Sequence, residues 1–281
     1  NVVALDFFNK VKGGRLDLEQ ATLDIDISNK IGVDMQISIN SLKAINNRTN
    51  TTVVLDAVPL RNPVDVMRAT DANGQLPIQS SDIRIGLNAQ NSNMLEFISN
   101  LPDQISYDLA LHTNPLGNVS QHHDFIYDGE YMNLNMNLDI PMKISASGLS
   151  LSDTLLLNVE HEDLSAIKGG TLHAFFDNGF PMDARIEIYL LNAEGAVMDT
   201  LMNGSDSVEA ALLNAEGLVE FSQQTRIDIP LDPSLLNSVL NTRKVAVVIT
   251  LDTQPVNQFV RILDRYGIDF QLTADFTYSI D

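Results

Sequence analysis

Residues 22–40 read TLDIDISNKIGVDMQISIN, a pair of amphipathic strands joined by a turn. Leu23, Ile25 and Ile27 alternate with Asp24, Asp26 and Ser28, a period of two that marks a half-buried strand. The chain turns after Asn29, and a second strand through Ile37 and Ile39 runs back. The same alternation returns at Leu134, Met136, Leu138 and Ile140 against Asn133, Asn135, Asn137 and Asp139, and at Ile186, Ile188 and Leu190 against Arg185, Glu187 and Tyr189. Strands with one apolar and one polar face belong to antiparallel sheets.

The pattern of this stretch recurs in the second half of the chain as an internal repeat. An offset of 149 superimposes Thr22-Leu23 on Thr171-Leu172, Asn29 on Asn178, Asp34 on Asp183, and Ile37 and Ile39 on Ile186 and Ile188. An offset of 140 brings Leu95 onto Leu235, Leu111 onto Leu251, Thr113 onto Thr253 and Pro115 onto Pro255. An offset of 136 brings Asp139 onto Asp275 and Ile144 onto Ile280. A falling offset is what shorter loops in the second copy would produce. The stretch 147–170, SGLSLSDTLLLNVEHEDLSAIKGG, ends in the same Lys-Gly-Gly that stands at Lys12-Gly13-Gly14. The expected organisation is two tandem domains, residues 1–155 and 156–281, each mostly β, antiparallel, with a sandwich or curved sheet and one short helix.

Turn chemistry punctuates the strands. Asn73-Gly74 and Asp128-Gly129 are hairpin-type dipeptides, and LLNAEG occurs at Leu190–Gly195 and again at Leu212–Gly217. Helices are expected over Ser92–Asn100, with Met94, Leu95 and Ile98 on one face, and over Pro233–Leu240, where Asp232 can cap and Pro233 suits the first position. Val3–Val11 is a third candidate. The two helical stripes are expected to pack directly on Leu109, Leu111, Ile249 and Leu251.

Composition narrows the classes of function. The 281 residues are 44% hydrophobic and 19% charged, with no Trp and no Cys, so aliphatic residues and Met must fill the interior. A net charge of −20 repels phosphate backbones and anionic membrane surfaces, which argues against a nucleic-acid partner. Absence of Cys removes disulfides, zinc–thiolate sites and thiol nucleophiles. No stretch reaches the roughly 18 apolar residues of a membrane span. The chain opens on Asn1, from which a removed targeting segment is expected, and a lipid anchor would lie outside this sequence.

Two family resemblances rest on these elements. The segments DIDISNKIGVDMQISINSL (24–42) and AFFDNGFPMDARIEIYLLNAEG (174–195) resemble the strand–Asn–turn–strand opening of late-embryogenesis-abundant (WHy-type) β-sandwich domains. The segment TRIDIPLDPSLLNSVLNTRKVAVVITLDT (225–253) is similar to the later part of that domain. After Asn29 and Asn178 this chain lacks the Asn-Pro step usual there. The same element order, present twice, also resembles the TULIP superfamily. The first resemblance implies a noncatalytic, extracytoplasmic or stress-related role; the second implies an apolar cavity for a lipid.

Candidate chemistry is sparse. His122-His123-Asp124 and His161-Glu162-Asp163 concentrate metal-ligand side chains, but neighbours on a strand point to opposite faces, so solvated loops are expected instead. No Gly-x-Ser-x-Gly singles out a nucleophilic Ser. Asp24 and Asp26 suit a solvated strand face. Asp71–Gly74 (DANG) lacks the remainder of a calcium loop and is expected as a turn. No phosphate-binding glycine motif is present. Asn47, Asn50, Asn118 and Asn203 fit the glycosylation pattern. Met35, Met67, Met94, Met132, Met136 and Met142 suit core filling, and secondarily the lining of a cavity.

The expectation is therefore a noncatalytic extracytoplasmic binding or structural protein, secreted or at the cell surface. It assigns no catalytic residue, no cofactor and no metal. The partner expected is a protein or an apolar ligand. The alternative is a carrier of lipid or another apolar ligand with an internal cavity.

Overall fold

The computed structural model describes residues 2–4, 10–156, 167–255 and 257–278. The chain forms two compact units, one from the described residues of 1–9 and 18–141, the other from those of 10–17 and 142–281. The chain divides before the strand Lys143–Leu156, not at 155/156: that strand pairs along its length with strands of the second unit.

The first unit contains β1 (Val2–Ala4), β3 (Thr22–Asn29), β4 (Met35–Asn46), β5 (Thr51–Val54), β6 (Val64–Val66), β7 (Ser81–Leu87), α1 (Met94–Ser99), β8 (Gln104–Thr113) and β9 (Met132–Asp139); β2 (Val11–Leu18) precedes β3 but pairs with the second unit. One sheet has the order β1-β8-β4-β5 with β6 also on β4, and the other β7-β3-β9.

The second unit contains β10 (Lys143–Leu156), β11 (Ile167–Asn178), β12 (Asp183–Leu191), β13 (Val197–Val208), β14 (Leu212–Leu213), β15 (Val219–Phe221), β16 (Gln223–Leu231), α2 (Pro233–Asn241), β17 (Lys244–Asp252), β18 (Val260–Arg261) and β19 (Ile268–Tyr278). Its main sheet runs β13-β12-β17-β10-β18, with β2 on β10; a second sheet runs β16-β11-β19, and β14-β15 is a small hairpin. The sheets are antiparallel and none closes into a barrel among the described residues, consistent with a β-sandwich. The path β1-β8-β4-β5 has the same sequence of elements as β10-β17-β12-β13, and β7-β3-β9 as β16-β11-β19.

The alternation seen in the sequence explains the cores. Leu23, Ile25 and Ile27 of β3 and Met35, Ile37, Leu42 and Ala44 of β4 are buried in the first unit. Leu172, Ala174 and Phe176 of β11 and Ala184, Ile186, Ile188 and Leu190 of β12 are buried in the second. Each large aliphatic side chain removed from water contributes about 1.5–3 kcal/mol. The polar faces of the same strands stay hydrated: Arg84 pairs with Asp26 across β7 and β3 at 2.6 Å.

Between β3 and β4, and again between β11 and β12, an Asn holds the turn. Asn29 is fully buried; its Nδ2 donates to Val33 O and Met67 O, and its Oδ1 accepts from Ile31 N. Asn178 does the same with Met182 O, Glu209 O and Phe180 N. In both units the residue that donates to the Asn then accepts from an Ala, Ala69 N on Ile31 O and Ala211 N on Phe180 O, at 2.9 Å each. Asp34 and Asp183 complete the match by accepting from Arg68 N and Ala210 N.

The strand ladders correct part of the expected alignment. The 149 offset agrees with the pairing of Ile37 with Leu111 and Ile186 with Ile249, but Leu111 then matches Ile249 and not Leu251. The slip is by two, which leaves the same face inward and so is invisible to an alternation pattern. The 136 offset agrees: Thr22 pairs with Asp139 and Thr171 with Asp275. Ile280, the expected match of Ile144, lies outside the described residues.

Helix α1 buries Met94, Phe97 and Ile98, so Phe97 takes the place expected of Leu95. In α2 the Asp232 side chain accepts from Leu235 N at 2.8 Å, and Leu236 is the buried residue. Phe97 N and Leu236 N each bond the carbonyl of the residue before their helix, Asn93 and Asp232, so Leu236 matches Phe97 and the expected match of Leu95 with Leu235 is off by one. The third helix expected does not form at its described ends: Val2–Ala4 is β1 and Val11 opens β2. The two Lys-Gly-Gly lead-ins are not equivalent either. Gly14 lies in β2, where its φ is +88° and a side chain would overlap the Gly148 carbonyl; Gly169-Gly170 lie within β11.

Candidate apolar clefts

The inward residues of β3 and β4 are buried, but their outer neighbours on the same faces are not. In β9, Leu138, Met136 and Leu134 lie beside Leu23, Ile25 and Ile27, yet Met136 and Leu138 are 40% and 45% exposed. In β19, Phe270 and Leu272 lie beside Phe176 and Ala174 and are 49% and 42% exposed. In each unit the two sheets part toward one side, leaving an apolar cleft.

The first cleft encloses about 610 Å³ and is lined by Leu23, Leu42, Tyr107, Leu109, Leu134 and Met136, with Met94, Phe97 and Ile98 of α1 among its further contacts. The second encloses about 390 Å³ and is lined by Leu172, Leu190, Val245, Val247, Phe270 and Leu272, with Val239 of α2 and Leu155 and Leu156 of β10 nearby. The strand registers match these two sets position by position. Both volumes fall in the range of about 300–1,000 Å³ typical of small-molecule sites. Among the described lining residues, Tyr107 alone brings a polar side-chain atom.

The direct packing expected of the helices on β8 and β17 is therefore corrected. Helix α1 sits chiefly on β4 and β5, and α2 on β13, β11 and β16. The cleft lies between each helix and the strands it was expected to touch.

The side chains singled out in the sequence are dispersed. His122 and His123 sit in an exposed loop: His122 Nε2 meets Asn118 Nδ2 at 2.9 Å and His123 Nδ1 meets Ser120 O at 2.9 Å. Asp124 is taken by Arg68 and Asn114, and hydrogen bonds from Ser120, Asn114 and Arg68 hold its carboxyl below the usual range. His161, Glu162 and Asp163 lie outside the described residues. Asp24 and Asp26 are on the polar face of β3.

Asp71 accepts from the Tyr127 hydroxyl at 2.8 Å, and Asn73-Gly74 form the tip of a loop closed by Thr70 and Gln79, longer than a two-residue hairpin. Asp128-Gly129 turns the chain from Tyr127 to Glu130 ahead of β9 without joining a hairpin. The LLNAEG strings form the same turn: Asn192 N bonds Ala196 O, Asn214 N bonds Leu218 O, and Gly195 and Gly217 both take positive φ.

One polar cluster escaped the sequence reading. His173, in the middle of β11, has Nδ1 2.7 Å from Asp228 Oδ1 on β16 and Nε2 3.0 Å from Asp275 Oδ2 on β19. Arg226 Nη2 also approaches Nδ1 at 3.0 Å. The hydrogen bonds to Asp275 and Asp228 raise the imidazole above its ordinary range against desolvation and the Arg226 charge. The two carboxylates meet opposite ring nitrogens, so they brace the sheet and do not converge on one point. Asp228 and Asp275 lie far away in the chain, and nothing but strand register brings them to His173. Arg226 also lies over the Phe175 ring at 5.6 Å, in the place where Arg84 of the first unit meets Asp26.

No protein-family model and no curated protein matches the chain. Among solved structures, the chain is similar to a protein of Parabacteroides distasonis ATCC 8503 whose secretion is predicted, with 10% identity over 97% of this chain and 80% of that one and a TM-score of 0.45.

Proposed function

We propose that the chain is a noncatalytic extracytoplasmic binding protein, and that each of its two apolar clefts takes a chain-like apolar ligand such as an acyl group. The observation that carries this reading is the repetition of the cleft. Positions that match by register are apolar in both units although the residues differ: Tyr107 against Val245, Leu134 against Phe270, Met136 against Leu272. A core position can be filled by any packing that works; two clefts kept open at the same place support a role for the opening. Apart from the Tyr107 hydroxyl in the first cleft, the described lining is apolar, which supports binding over catalysis.

Native mass spectrometry of gently purified protein tests this. The reading expects a bound apolar molecule that organic extraction removes, or uptake of added fatty acid by the extracted protein. Protein that carries nothing and takes up nothing would leave the purely structural role in its place.

A further inference from the structure

The outer faces of the two matching three-stranded sheets differ in one group of residues. In the first unit, Ser28 of β3 lies between Asp82 of β7 and Asn133 of β9, and Asp26 between Arg84 and Asn135. These side chains close on one another. Arg84 holds Asp26 through Nε and Nη2, Asn137 donates to Asp26, and Ser28 and Ser80 hydrogen-bond Asp82. In the second unit the register puts Asp177 of β11 between Gln224 of β16 and Asp269 of β19, and Phe175 between Arg226 and Gln271. Phe175 stands where Asp26 stands in the first unit, so Arg226 turns to Asp228 on its own strand and lies over the ring.

The exchange leaves polar groups unmatched. Asp177 Oδ1 is buried and accepts no hydrogen bond among the described residues. The side chains of Gln224, Asp269 and Gln271 make none among the described residues either, although farther along the same face His173, Arg226, Asp228 and Asp275 are all paired. A carboxylate with one oxygen out of reach of water and of any donor has to be compensated from its open side. That side is a hollow of about 560 Å³ on the outer face, lined by Asp177, Phe175, Gln224, Arg226, Asp269 and Gln271. Both flanking strands are paired to β11 through these positions, so the hollow lies on a finished part of the sheet.

The lining defines the ligand. Two carboxylates accept, two primary amides both donate and accept, and Phe175, 37% exposed, offers an apolar ring surface. A hydrocarbon chain brings no donor. A phosphate or carboxylate is repelled by Asp177 and Asp269, and an ammonium group meets the Arg226 charge at the Phe175 ring. From this chemistry we infer that the outer face of β16-β11-β19 binds a neutral saccharide. Sugar hydroxyls both donate and accept, and the C–H face of the ring packs on an aromatic surface. The hydroxyls meet the Asp177 and Asp269 carboxylates and the Gln224 and Gln271 amides, and the C–H face lies on Phe175. Phe175 and Asp177 alternate along β11 with the buried Ala174 and Phe176, so the site is on the face opposite the second apolar cleft. The inference goes beyond the proposed apolar ligand and does not depend on it.

The test is isothermal titration of the whole chain with maltohexaose, cellohexaose, mannohexaose and chitohexaose, neutral saccharides of different linkage. At least one should bind saturably. Phe175→Ala and Gln271→Ala should each weaken that binding about tenfold. Both side chains are exposed, so circular dichroism and the thermal midpoint should stay near those of the parent. Arg84→Ala, at the matching position of the first unit, should bind as the parent does. No saturable binding of any of the saccharides overturns the proposal, as does binding that neither Phe175→Ala nor Gln271→Ala weakens or that Arg84→Ala weakens equally. Uptake of a fluorescent fatty acid is read in parallel: a parent protein that takes up fatty acid and no saccharide refutes the saccharide site alone, and the converse refutes the cleft ligand alone.

Discussion

Asn29 and Asn178 make the same three hydrogen bonds, one set in each unit: two from Nδ2 to backbone carbonyls and one accepted by Oδ1 from the backbone N–H two residues on. Each is fully buried, so each satisfies groups that water does not reach. Asn29→Ala and Asn178→Ala should each cost about 1–3 kcal/mol, the usual penalty for stranding buried partners. The Asp variants should be no better, because a carboxylate cannot donate to the two carbonyls. Urea unfolding of the four variants checks this; an Asp variant as stable as the parent would show that the donors are not needed.

Leu236 and Leu235 are neighbours on α2 with different surroundings, buried and half-buried. Leu236→Ala should cost about 2–5 kcal/mol, the range for a buried Leu, and Leu235→Ala clearly less. Equal losses in chemical unfolding would mean that the helix face is assigned wrongly.

Much of this is legible in the sequence. Alternation at Leu23–Ile27 and Ile186–Leu190 marks strands with the correct buried faces, and the Asp232-Pro233 pair marks the start of α2. Asn29 and Asn178, at the ends of matching apolar strands, point to equivalent turns by their positions alone. The rest fails for identifiable reasons. A period-two pattern cannot detect a slip of two, so it sets Leu111 on Leu251. Alternation also predicts which way a side chain points, not whether another layer meets it. Leu134, Met136 and Leu138 point inward as expected, but the sheets part there and a cleft replaces a core. The His173 cluster depends on three strands distant in sequence.

His173 links pH to stability. Its pKa is raised in the folded protein by Asp275 and Asp228, so its contribution is fully present below the unfolded value of about 6.5 and is lost as pH rises through the folded value. The stability difference between the parent and His173→Gln should therefore be largest at mildly acid pH and shrink toward alkaline pH. Unfolding curves at a series of pH values measure it. A difference that grows with pH would indicate that the Arg226 contact at Nδ1 dominates and that the ring is neutral.

Gly14 and Gly13 should respond differently to a methyl group. At Gly14 the backbone has φ +88° and a Cβ would overlap the Gly148 carbonyl, whereas at Gly13 nothing lies within 4 Å of that position. Gly14→Ala should lower the thermal midpoint markedly and Gly13→Ala little. Equal shifts would contradict the close approach of β2 to β10.

If each unit holds an apolar site open to a ligand, titration of the extracted protein with a fluorescent fatty acid will count the sites. The account predicts two bound molecules per chain, one lost in Met136→Lys and the other in Leu272→Lys, both of them substitutions at partly exposed cleft residues. No saturable binding, or a stoichiometry that neither substitution changes, would contradict it.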